Sequence, residues 1–434
     1  MRQSAFYGWK LVAALWLIVF INLGFAAYGS PVMNAAMATQ LHWSRNLAGL
    51  PYNLYTVMAG VPAMLVAVLV RRIGIRRTVM LGSALVFSGA LAMATIVRDG
   101  LGAVLAFGVV VGLGVAWGGP FGVQPAVANW FVRRRALALA IVYAAGGVAG
   151  LVSGKFLLSP LIKAAGGDWR AGWWLYAGLA AVAFIIAAAF IRDRPEQLGQ
   201  VPDGAMDALA PGASASPASA RPAFISQEAW TGAEVARCGR FWVMVLALCG
   251  GSAGYTLFLS QGLLHLADLG YTADARPWAL SITTGSTLLG KVALGTFGDR
   301  IDPRYIWAVT MVALGIGLLI IVDAHGPFAL IAFSVLIGFG FGGGLVCMMS
   351  VLSNYFGAKA FPAAAGYAGA LNTIVSFILS QSGGAIRDAL GSYAPTFYSL
   401  AAWCFAGAFA LMLVRPPVRH AVANPAHVAV SGRP

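Results

Sequence analysis

The chain reads as an all-α polytopic membrane protein, with twelve transmembrane helices in two six-helix bundles. Three observations predict this. Of its 434 residues, 60% are hydrophobic and only 10% are charged, where a soluble chain carries about 25% charged residues. Mean hydropathy is +0.81, and apolar runs long enough to cross a bilayer (about 20 residues) recur throughout. The runs fall in two sets of six, on either side of one polar stretch.

The first set of spans is placed near 10–36, 45–70, 78–97, 101–128, 136–161 and 171–191. The second falls near 241–266, 277–298, 305–323, 327–352, 362–386 and 395–414. Arg2 and Lys10 ahead of the first run give it the outline of a signal peptide, but its length and the many spans that follow predict an uncleaved helix. Between the sets, "PDGAMDALAPGASASPASARP" (Pro202–Pro222) has no apolar periodicity. It is expected to be flexible, since it cannot build a packed core. The expected organisation is a first bundle at 1–191, a linker at 192–240, a second bundle at 241–414 and a tail at 415–434.

Charge sets the expected orientation. With both termini inside, the inner segments hold twenty Lys and Arg residues and the outer ones six: Arg45, Arg98, Lys163, Arg170, Arg276 and Arg387. The positive-inside rule therefore puts both termini in the cytoplasm, and the cell's inner membrane is the expected location. The net charge of +14 is spread over short loops between spans, so nucleic acid is not an expected partner. Cys238, Cys249, Cys347 and Cys404 are scattered, with no metal-ligand spacing. No phosphate-binding glycine loop of the GxxxxGK[ST] kind is present. No cofactor, metal or enzymatic activity is expected, and the lipid bilayer is an expected partner.

The two sets repeat. "RRIGIRRT" (Arg71–Thr78) follows span 2, and "GDRIDPRY" (Gly298–Tyr305) follows span 8. Span 4 ends in "NWF" (Asn129–Phe131) and span 10 in "NYF" (Asn354–Phe356). Parallel repeats of this kind place a substrate site between the halves.

"GTFGDRIDPR" (Gly295–Arg304) resembles the G-x-x-x-D-R-x-x-x-R loop of the major facilitator superfamily. "YGWKLV" (Tyr7–Val12), "WFVRRRALALAIVYAAGGVAG" (Trp130–Gly150) and "RPEQLGQVPDG" (Arg194–Gly204) are similar to its monocarboxylate-transporter and oxalate/formate-antiporter branch. The resemblance covers essentially the whole chain and implies a secondary transporter. The first-half loop departs from the pattern, with Arg71 at the motif aspartate and Ile75 at a motif arginine. Asp299 keeps the second-half carboxylate. By pseudo-symmetry it is expected near the start of span 5, meeting Arg133–Arg135 and the positive helix end. Asp299, Arg300, Arg304 and Arg133 are thus the expected inner gate.

Only Lys155 and Lys291 sit well inside spans, and no Asp or Glu does. A cation near the bilayer centre costs about 2.5–3.5 kcal/mol, so it usually faces a cavity or a partner. Lys291 has no counter-ion within the spans, and a substrate anion would supply one. Snorkelling to the nearby inner edge is the alternative. The resemblance implies a carboxylate-binding cation at this place in span 8. It also implies a second cation in span 11, where this chain has Asn372, on one helix face with Ser376 and Ser380. One cation suits a monocarboxylate better than a dianion. Tyr28, Tyr55, Gln124, Tyr143 and Gln261 complete the expected substrate-binding set, since each tyrosine offers an apolar wall with one polar tip. Lys155 is expected to snorkel outward, and His265 lies near the outer mouth.

The expected function is alternating-access transport of small organic anions, with protons or a counter-anion as the coupling partner. Efflux of apolar or drug-like compounds is one alternative, and a non-transporting membrane sensor another.

Overall fold

The structure, a computed structural model, describes residues 6–203, 230–297 and 301–417. Its helices are α1 (Gly8–Gln40), α2 (Arg45–Ile73), α3 (Ile75–Thr95), α4 (Gly100–Trp130), α5 (Leu137–Ala164) and α6 (Arg170–Phe190). The second set is α7 (Gly239–Asp268), α8 (Arg276–Phe297), α9 (Pro303–Asp323), α10 (Gly326–Gly357), α11 (Lys359–Leu390) and α12 (Ala394–Leu413). All twelve expected spans are present as helices. At 1.5 Å per residue, even a 21-residue helix such as α6 covers the roughly 30 Å of a hydrocarbon core. Outward-facing side chains such as Ile185, Val309 and Phe409 are apolar and exposed. Water would penalise that surface, whereas lipid solvates it. Twelve crossings bring the start of α1 and the end of α12 to one face, termed proximal; the opposite face is distal.

Glycine sets how closely the helices approach. A Cβ placed on Gly338, Gly342 or Gly290 would stand 2.0–2.3 Å from a backbone oxygen of the facing helix in the α8–α10 contact. No side chain fits there, so the run "GFGFGGG" locks α10 to α8 within the second set. The run "GGVAGLVSG" has a different duty, because Gly147, Gly150 and Gly154 face α8 across the seam between the two sets.

Four helices widen into π turns, at Gly24–Gly29, Val104–Val111, Ser153–Leu158 and Phe258–Gly262. Such turns free backbone groups that need other partners. The Tyr52 hydroxyl supplies one, donating to the Ala27 carbonyl at 3.0 Å. The π turns of α1 and α7 occupy corresponding places in the two halves.

Part of the expected linker is folded. Residues 192–203 form a strap beneath the first six helices, and the loop carboxylate missing between α2 and α3 comes from it. Asp193 accepts from the backbone N–H groups of Ile75 (3.0 Å) and Arg76 (2.8 Å). Gly74, at φ +85°, lets it approach, since a Cβ would stand 2.4 Å from the carboxylate. At its far end the strap pairs Asp203 with Phe131 in a parallel bridge. A short helix, Gly232–Arg237, leads into α7 behind a capping box of Thr231 and Glu234. The central linker, 204–229, and residues 418–434 lie outside the described residues.

Candidate functional site

The seam between the two sets is built on matched stripes of α5 and α8. A Cβ on Gly154 would stand 3.1 Å from Leu280, one on Gly150 2.6 Å from Thr284, and one on Gly147 2.7 Å from Leu288. These positions recur every three to four residues along each helix, so each stripe is one helix face. One turn further toward the proximal face, the α5 stripe reaches Tyr143 and the α8 stripe reaches Lys291. The register therefore sets Tyr143 opposite Lys291 where the tight glycine contact ends. Tyr143 is 37% exposed and Lys291 is half-buried. Lys291 makes no hydrogen bond or ion pair with a described residue.

Tyr28 joins this group. It lies in the π turn of α1, half-buried, with its ring edge 3.9 Å from where a Cβ of Gly146 would be. Tyr55 sits behind it, its ring stacked on Phe107 with centroids 5.1 Å apart. Gln124 is exposed on the proximal half of α4, one turn from Phe121. Phe121 lines a cavity of about 290 Å³ together with Gly60, Met64, Gly366 and Thr373, between α2, α4 and α11. Asn372 is half-buried next to Thr373, and its Oδ1 is buried with no donor. The Ser376 hydroxyl, one turn more distal, is likewise buried without a partner.

Gln261 stands apart from this set. It is 1% exposed, accepts from the Tyr393 hydroxyl at 2.8 Å, and packs against Gly49 and Gly384. It belongs to a seal at the distal end of the seam. There Asn53 donates to Gln381 at 2.8 Å and accepts from Ser380 at 2.9 Å. Ser380 also meets Ser260 at 3.2 Å. Above these amides lies a charged layer. Arg45 pairs with Asp268 at 2.6 Å, and Arg387 pairs with the same carboxylate at 3.2 Å. Asp388 accepts from the N–H groups of Arg45 (2.9 Å) and Asn46 (2.8 Å), which open α2. The bonds that Arg45, Asn46, Asn53, Lys155 and Lys163 make with the second set all lie toward the distal face. The molecule is thus sealed distally, and the cavity beside Phe121 lies on the proximal side.

The remaining expected residues are held by other partners. Lys155 donates to the Asp274 carbonyl at 3.0 Å and lies 5.4 Å from the Trp278 ring centre. His265 bonds the Ile321 carbonyl at 2.8 Å and packs on Tyr393 and Phe397. Arg304 pairs with Asp302 at 3.2 Å and donates to the Val414 carbonyl and the Tyr305 hydroxyl. It thereby ties the start of α9 to the end of α12. Asp299 and Arg300 lie outside the described residues. The turn before α5 is bound by a carboxylate from the strap: Asp203 accepts from the N–H groups of Val132, Arg133 and Arg134.

Two features escaped the sequence reading: the Asp268–Asp388 layer and the strap aspartates. The first had a signal, because Arg45, Asp268, Arg387 and Asp388 all sit at span ends predicted for one face.

Twelve helices of membrane-spanning length, in two six-helix sets that close on each other along a glycine-lined seam, define the class of polytopic membrane proteins. The family profile of the Major Facilitator Superfamily matches residues 15–275 and 263–431, and the chain belongs to that superfamily. It is a multi-pass membrane protein. Its relatives include monocarboxylate transporter 13 of Bos taurus, 27% identical over 41% of this chain and 42% of that protein. The rat transporter of the same name is 25% identical over 40% and 41%, so the chain spans about two fifths of the length of these curated relatives. Monocarboxylate transporter 3 of Rattus norvegicus is 27% identical over 90% of this chain and 76% of its own. Among solved structures, a mutant of the nucleoside transporter NupG superposes with a TM-score of 0.71 at 12% identity, covering 93% of this chain and 99% of that one. A mutant peptide transporter POT in complex with sulfate gives 0.70 at 15% identity, covering 93% and 94%. At these identities the likeness is one of fold.

Proposed function

We propose that the protein moves small organic anions, monocarboxylates above all, across the cell's inner membrane by alternating access. The observation that carries this reading is Lys291, a half-buried cation on the seam with no described partner, set opposite Tyr143. A lone cation in an apolar span is costly, and a bound carboxylate offsets that cost. Lys presents a point charge and lacks the bidentate fork of Arg, so it attracts a single carboxylate without fixing its orientation and leaves the tail free to lie along aromatic walls. Tyr28 and Tyr143 are suited to frame that tail. Gln124 and Asn372 border the proximal approach, and Asn372 brings no second charge. The relatives named as monocarboxylate transporters support the same substrate class.

In this reading the proximal face is cytoplasmic, as its basic loops favour, and residues 1–191 and 241–414 rock as two bundles. The sealed distal face then makes the described state inward-facing. The coupling partner is a proton or a counter-anion.

A thermal-shift screen of organic acids on the purified protein tests the assignment. Monocarboxylates are expected to stabilise the wild type and Lys291→Arg but not Lys291→Ala. Equal stabilisation of Lys291→Ala would overturn the role of Lys291.

A further inference from the structure

The inner gate has family precedent in its loop motif, whereas no motif accounts for the distal end. We propose that Arg45, Asp268 and Asp388 form the distal gate, a charged latch that holds the two helix sets together in the sealed state and parts when the transporter opens distally.

The geometry has two layers. The charged layer joins α2 to both α7 and α11. One carboxylate of α7, Asp268, is shared by Arg45 of the first set and Arg387 of the second. One carboxylate of α11, Asp388, receives two backbone N–H groups at the start of α2, where the helix dipole also favours an anion. Below lies the amide layer of Asn53, Gln381 and Ser380, with Gln381 reaching up to Asn46.

Exposure separates the two layers. Asp268 and Arg45 side chains are each 25% exposed, so water reaches them and can replace the partner when the layer parts. Asn53 is fully buried, and leaving such a group without a partner in the absence of water is strongly unfavourable. The amide layer therefore opens only once water has entered, and the charged layer admits that water. Hydrogen bonds to ionised groups are also the stronger and more directional kind. They fix the register in which α2 returns to α11.

Ser376 reports on this opening. It lies one turn below Ser380, on the proximal side of the seal and so shielded from the distal face. The native cysteines leave little background, since Cys249, Cys347 and Cys404 are buried and only Cys238 is partly accessible. A Cys238→Ser, Ser376→Cys protein in vesicles exposing the distal face can be treated with a membrane-impermeant thiol reagent. Adding Asp388→Asn is expected to speed labelling about fivefold or more, the change in population that a kcal/mol or so produces. Asp388→Glu is expected to restore slow labelling. Arg45→Gln removes the bridge to Asp268 but keeps both N–H groups that Asp388 caps. It is expected to act in the same direction, and it decides the matter if Asp388→Asn does not fold. Unchanged labelling in every folded variant would overturn the latch. The readout needs no substrate, so it stands or falls apart from the role of Lys291.

Discussion

Leu288 lies so close to Gly147 that a Cβ on the glycine would stand 2.7 Å from the leucine methyl. The seam between the helix sets therefore stays tight to within one turn of Tyr143 and Lys291. Forcing it apart should favour the distally open arrangement. Gly150→Val places new atoms against Thr284, whose Cβ is already within 2.6 Å of the position a Cβ would take. Overpacking of this kind costs about 1–3 kcal/mol. A lower melting temperature in detergent, together with slower exchange in proteoliposomes, is the expected result. An unchanged melting temperature would show that the seam is slacker than described.

Tyr143 and Tyr55 should behave differently although both are tyrosines in spans. Tyr143 is partly exposed at the open end of the seam, and Tyr143→Ala is expected to raise KM for a monocarboxylate about tenfold through lost binding. Tyr55→Phe keeps the ring that stacks on Phe107 and is expected to leave KM within about twofold. Initial rates of uptake into proteoliposomes check both.

Asn372 offers a way to change the preferred charge. Its Oδ1 is buried without a donor, and no described carboxylate competes for a cation there. Asn372→Lys is expected to turn a dicarboxylate from a poor competitor of uptake into one at least about tenfold better, an effect of about 1.4 kcal/mol. Unaltered competition would place Asn372 outside the pathway.

Asp203 is expected to matter for stability. Its carboxylate accepts three N–H groups at the turn before α5, and loss of a cap usually costs about 0.5–2 kcal/mol. Asp203→Ala should lower the melting temperature, while Asp203→Asn, which keeps one acceptor oxygen, should lower it less. Thermal unfolding followed by tryptophan fluorescence measures both.

Much of this structure was legible in the amino-acid order. Helix positions followed from the length of each apolar run, because lipid demands it. Lys291 stood out because an unpaired cation in such a run is rare. Gln261 was harder. A polar residue in an apolar span looks the same whether it faces a cavity or another helix. Gln261 is held in the distal seal, and Asn22 donates to Ser83 and Gly118. The bond between Asn53 and Gln381 joins residues 328 positions apart, and no local pattern announces it. Asp193 and Asp203 were hidden for another reason: the composition around them is that of a tether, and only tertiary structure shows where their carboxylates go.

The strap has a practical consequence for dissecting the protein. Cut after Phe190, the first six helices would lose the carboxylate that seats Ile75 and Arg76 and the one that closes the turn before α5. The smallest self-sufficient fragment should therefore end beyond Asp203, and a split transporter rejoined from two separately expressed pieces should tolerate its break only after that residue.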